Sequence, residues 1–175
     1  MKILAAFPFI LIMAGPLAAP ASAATTKPQL PAAARYYPMV GHWTGQARLS
    51  EPGQAPVKLT MQLDCTKVSS GWAVSCNSVT RNSQMAMTES DLFGVDPVSG
   101  EGHWYAVTNT GDAHDHLAHW ISARTMKASY AWTDHGKKMV ETITLKLAGT
   151  NSMTFKSVVT ADGENAGAFL GTLRR

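Results

Sequence analysis

Three imidazoles stand within six residues in the run Ala113-His114-Asp115-His116-Leu117-Ala118-His119. On an extended strand, side chains at i and i+2 point the same way, so His114 and His116 can share one metal ion. A third ligand would have to come from elsewhere, with His103 and Glu101 as the sequence candidates. His119 has the opposite parity. The same run also reads as the polar rim of a solvated loop, with Asp112, His114 and Asp115 on it and a strand starting at His116. That second reading is adopted, so no metal is expected at His114, His116 or His103.

Two acids interrupt apolar rows. Glu141 falls in the row Met139, Glu141, Ile143, Leu145, Leu147, and Glu89 in the row Met85, Met87, Glu89, Asp91, Phe93. A carboxylate that faces a dry interior is costly unless it is hydrogen-bonded, paired or protonated. Either the acids sit at a wet mouth or a solvent face, or they are polar anchors in an apolar pocket, the usual arrangement for selecting a small molecule. Tyr130, opposite Glu141 in the expected register, is its natural partner. With Tyr105 and Trp132 it forms the expected lining. No Gly-x-Ser-x-Gly elbow, His-Glu-x-x-His helix, phosphate loop or dinucleotide fingerprint occurs, so nothing positive favours catalysis.

The elements that must carry these groups are strands. In Met39 to Leu49, Trp43, Gly45, Ala47 and Leu49 share an apolar face while His42, Thr44, Gln46 and Arg48 share a polar one. An indole followed by two very small residues suits a strand that plugs a barrel floor and leaves room above it. Val57 to Cys65 alternates in the same way. If Ser70-Gly71 is a two-residue turn, Lys67 faces Val74 and Cys65 faces Cys76, which makes a disulfide between the only two cysteines. Closing so short a loop stabilises by roughly 2 to 3 kcal/mol. Further strands are expected at 84–93, 101–108, 116–123, 127–133, 138–147, 153–160 and 165–173. Tight hairpins at His135-Gly136 and Asp162-Gly163 pair Trp132 with Met139, Tyr130 with Glu141, and Phe155 with Leu170. The fold class is all-β: a closed antiparallel up-and-down barrel of about ten strands with a short N-terminal helical turn.

Residues 1–23 combine Lys2, an apolar run from Ile3 to Met13 and the small-residue exit Ala21-Ser22-Ala23, the pattern of a secretory signal peptide cleaved near Ala23. Proline and glycine interrupt the run, and no transmembrane span is expected in the mature chain. Residues 24–38 read as a linker and N-terminal cap, and 39–175 as one barrel domain in a periplasmic or secreted protein. Of the 15 Lys and Arg residues none forms a run longer than two, so nucleic acid is not an expected partner.

The Val40-Gly41-His42-Trp43-Thr44-Gly45 run resembles the first strand of the calycins, the superfamily of lipocalins and fatty-acid-binding proteins. Behind a signal peptide it is similar to their uncharacterised secreted bacterial branch. The resemblance implies a late basic residue packed across the tryptophan, which here is Arg174 or Arg175. Haem-binding nitrobindins use a late histidine, and no histidine follows His135, so no cofactor is expected. Fatty-acid-binding proteins hold a carboxylate with an interior arginine. Arg48 is on the polar face, so neutral or cationic amphiphiles are expected instead.

The resulting expectation is a lipocalin-like barrel that binds a small, largely apolar or amphipathic molecule. Trp43 is its floor plug, Tyr105, Tyr130 and Trp132 its lining, and Glu89 and Glu141 its anchors. One alternative is a secreted protein-interaction module, such as a protease inhibitor or envelope-assembly factor, that contacts its partner through residues 24–38. Another is a metal-dependent enzyme built on His114, His116 and His119. Enzymatic activity is not the favoured reading.

Overall fold

The computed structural model describes residues 34–175. The expected signal peptide and residues 24–33 of the expected arm lie outside the described residues. A short 3-10 turn (Tyr37–Met39) leads into ten strands: β1 (Gly41–Ser50), β2 (Val57–Val68), β3 (Ala73–Arg81), β4 (Ala86–Val95), β5 (Gly102–Thr108), β6 (Ala113–Ser122), β7 (Thr125–Asp134), β8 (Lys137–Leu147), β9 (Ser152–Ala161) and β10 (Glu164–Arg174). Each strand pairs antiparallel with its chain neighbours, and β10 returns to β1. The sheet therefore closes as an up-and-down barrel, which among the described residues leaves no strand edge unpaired.

Turn chemistry sets most of the register. His135 and Gly136 have φ of 46° and 80°, the left-handed pair of a type I′ hairpin whose twist matches the flanking strands. Trp132 accordingly meets Met139, and Tyr130 meets Glu141. Asp162 and Gly163 turn in the same way, at 51° and 89°. There, however, a bulge between Asn165 and Gly167 shifts the pairing by one residue, and Phe155 meets Gly171 instead of Leu170. The shift puts the Phe155 ring where a side chain at 171 would stand, 2.2 Å from the position of its Cβ. Between β2 and β3 the loop is wider than two residues, with left-handed Ser69, Ser70 and Gly71. Its register is the expected one, and Cys65 lies opposite Cys76 in a disulfide.

The lower end of the barrel is packed solid. Trp43 is 1% exposed, and its indole N–H donates to the Met39 carbonyl at 2.7 Å. Tyr36, Met39, Leu63, Leu147, Met153 and Leu173 fill the space around it. The Arg175 guanidinium lies 4.2 Å from the Trp43 ring centroid and donates to the carbonyls of Pro38 and Val40 at 2.5 and 2.7 Å. Of the two terminal arginines it is Arg175 that crosses the tryptophan, and Arg174 is exposed. This contact ties the entry of the barrel to its exit through a cation over a ring face.

The small residues above Trp43 act differently from the sequence expectation. A Cβ at Gly45 would lie 2.0 Å from the Thr172 carbonyl oxygen. Gly45 is therefore small so that the β10 backbone can cross close to β1, and the space above Trp43 on this strand is not open cavity.

Candidate functional site

The upper half of the barrel is hollow. A cavity of about 490 Å³ opens between the hairpins at its mouth, within the usual range for small-molecule sites. Its walls are mostly apolar and include six of the chain's nine methionines, Met39, Met61, Met85, Met87, Met139 and Met153. Long, unbranched thioether side chains re-pack readily around ligands of different shape. Among the lining residues there are five acids, Glu51, Glu89, Asp91, Asp112 and Glu141, and two histidines, His114 and His116. Among the described residues no lysine or arginine lines it.

Two polar chains cross the interior. In the first, His116 on β6, Glu141 on β8 and Ser157 on β9 meet. His116 Nε2 stands 2.9 Å from Glu141 Oε2, and Ser157 Oγ donates to Glu141 Oε1 at 2.5 Å. The other ring nitrogen, Nδ1, faces the Trp104 carbonyl at 3.2 Å, and a carbonyl only accepts, so Nδ1 carries a hydrogen. Burial pushes the Glu141 carboxyl up, but the hydrogen bonds from His116 and Ser157 and the nearby His116 and His114 outweigh it and leave it below the usual range. Glu141 is thus an ionised group held at both oxygens.

In the second chain, Asp91 accepts the Trp104 indole N–H at 2.6 Å and lies beside Glu89, two residues earlier on the same face of β4. Burial, the charge of Asp91 and a hydrogen bond with it push Glu89 up to about 8. Asp91 is also raised, by burial acting against its hydrogen bonds from Glu89 and Trp104. Burial and proximity thus shift both carboxyls toward their neutral, protonated forms. Higher on the wall, the Thr80 hydroxyl is buried without a hydrogen-bond partner among the described residues. Its residue is 1% exposed and lines the cavity.

The structure sorts the expected site residues. Glu89 and Glu141 both face the cavity. Tyr130 and Trp132 lie on the inward parity of β7, but they stack on each other at 5.4 Å and on His114 at 4.4 and 5.6 Å. His114 stands between them and the space, so they support the wall behind it. Glu141 takes its hydrogen bonds from His116 and Ser157, not from the expected Tyr130.

Tyr105 is a correction. It is 47% exposed on the outside of β5, opposite Leu92, and Trp104 and Ala106 line the interior in its place. Because Trp104-Tyr105-Ala106-Val107 is apolar at every position, alternation could not say which pair faces in. Trp43 lies below the cavity rather than on it.

The histidine run also changes. β6 begins at Ala113, so His114 is on the strand and turned inward with His116, not on a loop rim. The third group near them is Glu141: one ligand atom from each of the three lies within 4.8 Å of the others. His103 points outward to Asp115 at 3.1 Å, and Glu101 is exposed before β5. His119 is also exposed. Sequence reasoning passed over Trp104, Ser157 and Thr80. Each lies on a correct inward parity but carries no motif.

No protein-family profile matches the chain, and no curated protein matches it. Among solved structures, the chain is similar to Rv2717c from M. tuberculosis with a TM-score of 0.64 and 14% identity, over 83% of this chain and 97% of that one. It is similar to the S-type phycobiliprotein lyase CPES from Guillardia theta with a TM-score of 0.54 and 10% identity, over 80% and 89%. A protein of unknown function from the DUF3598 family of Nostoc punctiforme gives a TM-score of 0.53 and 12% identity, over 79% of this chain and 48% of that one. At these identities the likeness is one of fold. The chain shares with them a closed, antiparallel β-barrel fold, here of ten strands.

Proposed function

We propose that this chain is a secreted or periplasmic barrel that carries a small, largely apolar molecule bearing a hydrogen-bond donor or one positive charge. The observation that carries the proposal is a methionine-rich cavity lined, among the described residues, by five acids and no lysine or arginine. Glu141 is ionised and Glu89 and Asp91 add further carboxyl oxygens, so the described walls favour one cationic or donor group over an anion. The Thr80 hydroxyl, unpartnered among the described residues, offers a further contact higher on the wall.

In this reading residues 1–23 are removed as a signal peptide, 24–38 lead into the barrel, and 39–175 form the binding domain. The Cys65–Cys76 disulfide supports an oxidising compartment. The secreted bacterial calycin-like proteins are the branch to which such a chain would belong.

The test is a matched probe series: dodecylamine, dodecanol and dodecanoate, titrated while Trp fluorescence is followed, since the Trp104 indole lies on the cavity wall. Amine and alcohol should bind at least tenfold more tightly than the carboxylate, with Asp91→Asn narrowing the gap. Preferred binding of dodecanoate defeats the proposal.

A further inference from the structure

We propose that His114, His116 and Glu141 form a binding site for one divalent transition-metal ion of the zinc class, with its remaining coordination position open to the cavity. This goes beyond carriage of an amphiphile and does not depend on it.

Donor set and spacing come first. Two imidazoles from alternate positions of β6 and one carboxylate from β8 converge, with one ligand atom of each within 4.8 Å of the others. Around a tetrahedral zinc ion with bonds of about 2.0–2.2 Å, neighbouring ligand atoms stand roughly 3.3 Å apart. His116 Nε2 and Glu141 Oε2, 2.9 Å apart, need to open only slightly to admit an ion. His114 has to close by a modest rotation. Its ring lies nearly parallel to that of Tyr130, 4.4 Å away at an interplanar angle of 16°, so it can slide along that face without losing the stack. Two nitrogens and one carboxylate oxygen suit zinc, copper, nickel or iron better than calcium or magnesium, which take oxygen ligands.

Outer contacts already orient the ligands. The Trp104 carbonyl holds the His116 Nδ1–H, which directs Nε2 at Glu141, and Asp91 fixes the Trp104 indole in turn. Ser157 occupies Glu141 Oε1 and leaves Oε2 for the shared position. Such outer partners set ring orientation and tautomer in metal sites. A ring whose Nδ1–H is committed to a carbonyl presents to an ionised carboxylate either a second N–H or a metal ion in its place. The cavity, whose described walls carry acids but no lysine or arginine, opposes no incoming cation.

Tag-free, disulfide-intact protein stripped with EDTA would be titrated with Co2+, followed by Zn2+ competition and metal analysis after dialysis. One equivalent of Co2+ should bind with the intense visible bands of a tetrahedral or five-coordinate site, and Zn2+ should bleach them. His114→Ala and Glu141→Gln should each weaken binding at least 100-fold, and Ser157→Ala by about tenfold. His114→Ala keeps the test decisive if Glu141→Gln disturbs folding, which circular dichroism would reveal, because it leaves the buried His116–Glu141–Ser157 chain in place. The outer pairs His42–Asp64 and His103–Asp115 provide the control. Absence of a stoichiometric cobalt spectrum overturns the proposal. So does binding that survives His114→Ala, or that is lost in a His42→Ala/His103→Ala double variant.

Discussion

The two ends of this barrel solve opposite problems with the same ten strands. At the lower end Trp43, Met39 and Leu173 pack to nearly complete burial under the Arg175 cap, and the Trp43 indole N–H and Arg175 Nη2 donate to backbone carbonyls. At the upper end apolar walls surround buried carboxyls and imidazoles that contact one another across strands. A filled floor supplies the stability that lets the mouth hold groups whose burial is unfavourable. The packed core and the polar cavity are thereby separated along the barrel axis.

The strongest way to break that contrast is Trp43→Ala. Removing a buried indole that also closes the floor should cost about 3 to 5 kcal/mol, read as a lower urea midpoint. Probe binding per folded molecule should stay within twofold, because Trp43 does not line the cavity. If the variant is fully stable, the floor is not where the stability resides.

Reducing or replacing the Cys65–Cys76 bond, which closes a loop with a sequence separation of 11, should cost about 3 kcal/mol in the chain-entropy picture. Non-reducing and reducing melts would measure it.

The mouth has its own signature in pH. Glu89 is raised from 4.5 to about 8, so between these values the folded chain holds a proton that the unfolded chain releases. Its contribution is fully present below pH 4.5 and is lost as pH rises through 8. Melting temperature should fall across this window in the native chain and flatten in Glu89→Gln. The difference should be on the order of 1 to 3 kcal/mol. Equal slopes in both proteins would remove Glu89 from the buried pair.

The smallest expected effect is at Tyr105. Tyr105→Ser, on the outer face, should leave stability within about 0.5 kcal/mol and leave amine binding unchanged in the fluorescence titration. Loss of binding would mean that the cavity wall has been drawn on the wrong side of β5.

Much of the barrel was legible because it is written locally. Left-handed residues at 135–136 and 162–163 encode tight hairpins, and a hairpin turn sets which residues oppose each other. That is why the Tyr130–Glu141 pairing could be read by counting; Cys65 meets Cys76 because the wider 69–72 loop is centred on the same two residues, Ser70 and Gly71, as the expected turn. The bulge at 165–167 could not be read in this way, since one extra residue is chosen by how Phe155 and Gly171 fit.

By itself, then, the chain's pattern of alternation and turns determined an all-β barrel, the face of Trp43, the cysteine pair and the strand rows that carry Glu89 and Glu141. Only tertiary structure decided that Trp104 and not Tyr105 faces in, that Gly45 makes way for the β10 backbone, and that His116 reaches past β7 to Glu141 and Ser157. Parity and turns act between residues near in sequence or directly paired. Contacts across the lumen depend on how far the whole sheet has curled, and no short stretch of sequence encodes that.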